Sequence, residues 1–395
     1  MKSKLKYSIC LLGIIVLFSS FGIENELNKK IVVQNKLKFE RKEIVSIRLD
    51  KKCLAAIKNH KELLVKDQKG NLVVTQLLDS NSDETPDELL FQAAVPANSK
   101  VVYTLFTDSS LTAPKSKTTT YARFVPERID DFAWENDKVA FRTYGPEAQR
   151  LVEEGKEGGT LSSGIDLWLK KVNYSIIDSW YAKNVTAPGY YHIEHGEGYD
   201  PYHVGSSRGT GGSGIWKNDS LYISKNYSKY RVIATGPLRT VFELDYAPWS
   251  KYGVTETKRI SLDLGSNFSK FENTISSSTP IPNYTIGITL HQEKGTVNIN
   301  AKKGIFRHWE PIDDSFVGEG LVIDPKVVKS AMDHRSKAVD QSQILVITKS
   351  KNNTLTYYAG FAWTGSGQIQ KVQDWEEMLA KQAQIIQNPL LVSIK

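Results

Sequence analysis

The sequence has little cysteine: two residues in 395, Cys10 and Cys53. Cys10 lies inside an apolar run near the start, which leaves one thiol for the body of the chain. A lone cysteine closes no internal disulfide, so the fold must rest on a hydrophobic core, and a chain of this length buries one without staples. Blocks of like charge are also missing. The net charge is +7, but basic and acidic residues are interspersed, which excludes the basic stripe of a nucleic-acid binder. Beyond the first residues no apolar run is long enough to cross a bilayer. There is no internal repeat, no serine-elbow pattern and no histidine-rich context around Cys53, so the usual nucleophiles are poorly served. The glycine-rich stretch Gly205–Gly214 lacks the lysine–hydroxyl ending of a phosphate loop.

The start of the chain has a pattern of its own. Lys2, Lys4 and Lys6 precede an apolar run from Ile9 to Phe18, followed by Ser19, Ser20 and Gly22. That order reads as a secretory signal over residues 1–23, with an uncleaved anchor as the alternative. The expected location is the periplasm or the outside of the cell. Loss of the three lysines would reduce the net charge to about +4, a mild balance compatible with an acidic ligand.

Residues 24–117 read as an N-terminal region of short strands, among them Glu43–Leu49, Glu62–Lys66, Asn71–Gln76 and Lys100–Phe106, separated by polar turns. Thr107–Thr120 reads as a linker or long surface loop. Residues 118–395 form the main region and carry the candidate site. In Arg239–Tyr246, Phe242, Leu244 and Tyr246 share one face; in Tyr284–His291, Ile286, Ile288 and Leu290 do. The opposite faces carry arginine, acid and histidine, as a solvated face or the lining of a sugar cleft would. One helix closes the chain, with Asp374 as the expected N-cap, Glu377 three residues on, and Trp375, Met378, Leu379 and Ile386 as its stripe. The predicted fold is mostly β: a large antiparallel β-sandwich with few helices.

The densest chemistry lies between Tyr190 and His203, which holds three of the seven histidines, His192, His195 and His203, with Tyr191, Glu194, Glu197 and Tyr199. Histidine exchanges protons near neutrality, and glycine lets backbone approach a ligand. A polar surface loop is the bland alternative. A divalent metal held by His192, His195 and Glu194 or Glu197 is another, although the spacing is not the helical one of zinc proteases. Arg208 sits among glycines. Arg123 and Trp134 lie in a second run; a guanidinium grips a carboxylate at two points and an indole offers a flat face to a sugar. Arg239, His291 and Trp309 are further candidates for binding, and Phe306–Glu310 reads as a loop more structural than functional.

The runs Arg123–Asn136, Ser163–Trp168, His192–Tyr199 and Gly236–Arg239 resemble a family known as a domain of unknown function and common in polysaccharide utilisation loci of marine and gut Bacteroidetes. That family is similar to the galactose-mutarotase-like β-supersandwiches and includes an oligosaccharide dehydratase of ulvan breakdown. The resemblance implies a carbon–oxygen lyase acting on an oligosaccharide that ends in a uronic acid. No cofactor is expected, with a divalent metal left open. It assigns no residue roles. The chemistry of elimination suggests them: Arg123 or Arg208 to hold the carboxylate, His192 or His195 as base, and Tyr199, Tyr191 or the other histidine as acid. Two other classes stay open: a glycoside hydrolase working with Glu135 and Glu197, and a carbohydrate-binding protein without turnover.

Overall fold

A computed structural model describes residues 27–291, 294–349 and 353–395. The expected signal segment, residues 1–23, lies outside the described residues. The chain is mostly antiparallel β-structure, as its alternating patterns predict.

The main body is a sandwich. One layer is an eight-stranded antiparallel sheet in the order Lys229–Ala234, Arg239–Trp249, Val254–Asp263, Phe268–Ser277, Thr354–Trp363, Ser315–Ile323, Ile305–Ile312 and Thr296–Asn300. The other layer consists of two five-stranded sheets. One contains Thr210–Lys217, Tyr284–Thr289 and Gln343–Thr348; the other contains Tyr121–Val125, Asp131–Glu135, Ala140–Thr143, Asp166–Lys170 and Gly198–Tyr199. A parallel bridge between Ile165 and Gly209 joins them. Period-two alternation explains the packing. Phe242 and Leu244, Ile286 and Ile288, and Trp134 and Phe141 come from the three sheets and meet in one core.

Both layers have covered outer faces. The helix Val372–Gln387 lays Trp375, Leu379 and Ala383 over Phe268, Trp309 and Val322. Its cap is Lys371 rather than the expected Asp374; Asp374 sits at the third helical position and its carboxylate accepts the N–H groups of Gln370 and Lys371. The helix Ile177–Thr186 covers the other layer, with Trp180 and Tyr181 packed on Trp168.

The N-terminal region is a smaller sandwich with its own core of Ile31, Val45, Phe91 and Leu105. It contains a helix, Lys51–Lys58, that the strand reading did not foresee, capped by the Asp50 carboxylate on the Cys53 N–H. The division near residue 117 also needs one amendment: the last strand, Leu391–Ile394, returns to pair with Asn28–Gln34. Gln76 fastens the two bodies, accepting from the Leu238 and Arg239 N–H groups and donating to the Arg239 carbonyl. Among the described residues, no helix is long and apolar enough to cross a membrane.

Candidate active site

In the strand Ala140–Thr143, Phe141 points into the main core, so Arg142 points outward. The turn Tyr190–His192 and the helix before it cover that face, and Arg142 is buried. Its guanidinium donates to Asp166 and Asp200 at 2.7 Å each and to the Tyr191 phenol at 3.1 Å, with Asp131 3.6 Å away. Three buried carboxylates thus face one guanidinium. Burial pushes Asp131 up to about 6, against the pull of Arg142. Burial and the neighbouring Asp166 push Asp200 well above the carboxylate range. The Oδ1 atoms of Asp131, Asp166 and Asp200 have no hydrogen-bond partner.

The segment from Tyr190 to Val204 crosses this network. Gly198 has φ +114°, and a side chain there would collide with the Leu169 carbonyl. His192 lies 2.9 Å from the Asp200 carbonyl through Nδ1. A carbonyl only accepts, so Nδ1 carries the proton and Nε2 keeps its lone pair. The side chain is 49% exposed, and burial of the rest holds the imidazole below its ordinary value. Tyr199 donates to Asp313, and burial with that hydrogen bond raises its phenol. Tyr202 stacks on His291 with ring centroids 3.7 Å apart and donates to Glu310 at 2.7 Å.

Glu310 belongs to a second cluster. In Ile305–Ile312, Phe306, His308, Glu310 and Ile312 share the inner face, and Glu319 stands directly across from His308 on the next strand. His291 enters from the opposite layer, just past Tyr284–Thr289, with φ +29°. Its Nε2 lies 2.8 Å from Glu319 and 3.6 Å from Glu310. Thr210 donates to the other Glu319 oxygen at 2.5 Å. Burial alone would lower His291, but the Glu319 charge and hydrogen bond raise it, with help from Glu310 and Asp166. Burial would raise Glu319; His291 and His308 outweigh it and bring the carboxyl down to about 2. Tyr202, two residues past Asp200, links the two clusters by its stack on His291 and its hydrogen bond to Glu310.

Of the expected site residues, His192 and Tyr199 lie on the Tyr190–Val204 segment and His291 lies in the second cluster. The others lie elsewhere. Arg208 is sealed in the core, donating to Ser163, the Ser213 carbonyl and the Ser206 carbonyl, so it meets no ligand from solvent. Trp134 is fully buried with Nε1 on Ser269, so its ring is core rather than a sugar platform. Glu135 is buried too. Its oxygens are occupied by Lys170, Ser175 and the N–H groups of Ile176 and Ile177. Glu197 accepts from Tyr174 and Trp180. Arg123 is paired with Glu127 and Asp178 on the surface. Arg239 makes a two-point pair with Asp263 at the junction of the two bodies. Trp309 stacks on Phe316 under the C-terminal helix. His195 is exposed and stacked on Tyr190, and Glu194 accepts the N–H groups of Gly196 and Gly198. The alternative metal grouping of His192, His195 and Glu194 or Glu197 therefore does not assemble. The His/acid grouping with metal-ligand spacing among the described residues is His291, Glu310 and Glu319.

Arg142, Asp131, Asp166 and Glu319 escaped the sequence reading as site residues, while His308 and Glu310 read there as more structural than functional. For His308 and Glu310 a signal existed, the alternation Phe306, His308, Glu310, Ile312, which marks a strand rather than a loop. For Arg142 none did, because its burial depends on a distant helix.

A family model for a domain of unknown function, DUF4861, matches residues 33–392. An uncharacterized protein, P7, of Formosa agariphila is 42% identical over 384 residues, covering 96% of each chain. A glycosyl hydrolase family 38 protein of Enterococcus faecalis superposes with a TM-score of 0.53 at 10% identity, over 93% of this chain and 47% of that one. An α-mannosidase of the same species has a TM-score of 0.48 at 9% identity, over 93% and 46%. The chain spans about half the length of these solved structures. At such identity the first likeness concerns the fold alone.

Proposed function

We propose that this chain, which belongs to the DUF4861 family, is a carbon–oxygen lyase of the cell envelope or its surroundings. Its substrate is an oligosaccharide of the ulvan type ending in a uronic acid. It eliminates across C4–C5 and leaves an unsaturated uronate. The observation that carries this reading is His192, a half-exposed imidazole held in one tautomer by the Asp200 carbonyl. Its depressed value keeps it neutral near pH 7, the state a general base requires.

In the elimination, the C5 proton passes to Nε2 of His192. The C5–H electron pair becomes the C4=C5 bond, the C4–O bond breaks, and a phenol protonates the leaving oxygen. Tyr199 and Tyr202 are the candidate phenols: their raised values keep them protonated, and each O–H turns from its carboxylate, Asp313 or Glu310, to reach the leaving oxygen. If the leaving group is a hydroxyl, it departs as water and the chain keeps its length. A hydrolase built on Glu135 and Glu197 has the geometry against it, because both acids are occupied by structural donors.

The test is turnover of uronate-ended oligosaccharides by the wild type and by His192→Ala. General-base catalysis contributes roughly 100- to 10,000-fold, so the variant should lose activity on that scale while keeping its fold. Undiminished turnover in His192→Ala would remove His192 from the reaction. Saturable binding without any product would make the protein a sugar-binding module.

A further inference from the structure

We propose that His291, Glu310 and Glu319, with His308 beside them, form a binding site for a divalent cation of the zinc class. Ligand atoms of the first three residues all lie within 4.8 Å of one another. Zinc sits roughly 2.0–2.2 Å from nitrogen and oxygen ligands, so atoms around a tetrahedral ion stand on the order of 3.5 Å apart. His291 to Glu310 is 3.6 Å already; His291 to Glu319, at 2.8 Å, has to open slightly.

A separate observation points to a ligand. His308 is 1% exposed, and neither ring nitrogen has a hydrogen-bond partner. Buried imidazoles ordinarily find one. Here Nδ1 stops 3.6 Å from Glu319 and Nε2 stops 3.8 Å from Glu310. An imidazole ligates an ion through one nitrogen, and either separation is that between two ligands of one ion rather than between donor and acceptor. Two imidazoles and two carboxylates suit zinc or its first-row neighbours better than calcium or magnesium, which favour oxygen alone. The carboxylates are held in place from outside: Tyr202 donates to Glu310 and Thr210 to Glu319. Such outer hydrogen bonds orient metal ligands.

An ion there would also answer an electrostatic difficulty. Glu310 and Glu319 lie side by side in this cluster, while Arg123 and Arg208 are occupied elsewhere. A uronate carboxylate would meet repulsion unless a cation received it. Bound to the ion, it would lose charge and its C5 proton would become more acidic. This role rests on the elimination reading; the ion site does not.

The full chain, stripped with a chelator and dialysed, is titrated with zinc by calorimetry and assayed for metal content. The expected result is one zinc per chain. Thr210→Val should weaken affinity on the order of 10- to 100-fold, and Glu319→Gln should abolish saturable binding. Glu197→Gln should bind as the wild type does, with circular dichroism confirming the fold of each variant. Cobalt should give a visible absorption spectrum that Glu319→Gln removes. A folded wild type that binds neither zinc, manganese nor cobalt stoichiometrically would overturn the proposal. So would binding unchanged in both Glu310→Gln and Glu319→Gln. Zinc binding without double-bond formation would leave the ion site standing and end the elimination reading. Full turnover by stripped protein would end the ion's role in holding the carboxylate.

Discussion

His192 and Lys258 are two bases that burial treats alike and surroundings use differently. His192 is packed near Asp200, Arg142, Asp166, Arg128 and Tyr191, with burial lowering its value. A base must be neutral, so the acid limb of turnover should lie below the ordinary histidine value of about 6.5. A pH–rate profile checks this. Lys258 is sealed inside the sandwich with no hydrogen-bond partner, 3.7 Å from Glu256 and over the Tyr246 ring. Burial brings it down to about 8 from 10.5. Between those values the unfolded chain binds a proton that the folded chain does not, so stability should rise with pH across that window. Urea midpoints at pH 7 and 9 should show a rise in the wild type that Lys258→Met lacks. Trp134→Ala tests the corrected role of that ring: its loss should cost about 3–5 kcal/mol of stability in a urea titration. The histidine-rich run stands out in the sequence; in the structure His195 and His203 are exposed and His192 is tied to the Asp200 carbonyl. Trp134 and Arg208 were misread because residue type does not reveal which side of a sheet faces solvent.

At the scale of elements, the helix Ile177–Thr186 depends on a residue far from it in sequence. Glu135 accepts the N–H groups of Ile176 and Ile177 and also pairs with the buried Lys170. No side chain at the helix start provides that cap. Glu135→Ala would leave Lys170 uncompensated, and breaking such a pair costs about 3–5 kcal/mol. Because this helix covers Arg142, the variant should also expose the turn Tyr190–His192 to faster hydrogen exchange. The strands Arg239–Trp249 and Val254–Asp263 were readable from alternation, whereas the helix Lys51–Lys58 was not, being two turns long with a short apolar stripe. The segment Ile305–Ile312 is a strand that reads as a loop. Its period of two was present, but charged and aromatic residues masked it.

The whole molecule is two sandwiches joined at Gln76 and at the ends of the chain. A cavity of about 560 Å³ lies on the outer face of the eight-stranded sheet, lined in part by Arg41, Arg239, Lys270 and Lys381. These four cations are paired with Glu43, Asp263, Glu272 and Glu377, which suits a structural seam. The return of Leu391–Ile394 to the strand Asn28–Gln34 is the part of the architecture that composition could not announce, since strand pairing across the full length of the chain leaves no local pattern. Truncation after Asn388 should raise hydrogen exchange in residues 28–34 and leave the turn at His192 unchanged. The proposed reaction is elimination by His192 with Tyr199 or Tyr202. Its most direct test is ultraviolet absorbance together with mass spectrometry, on the purified wild type given uronate-ended oligosaccharides. Elimination predicts a new double-bond absorbance with loss of one water or of a terminal sugar. No absorbance change on any uronate oligomer, from protein that is folded and metal-replete, would contradict it.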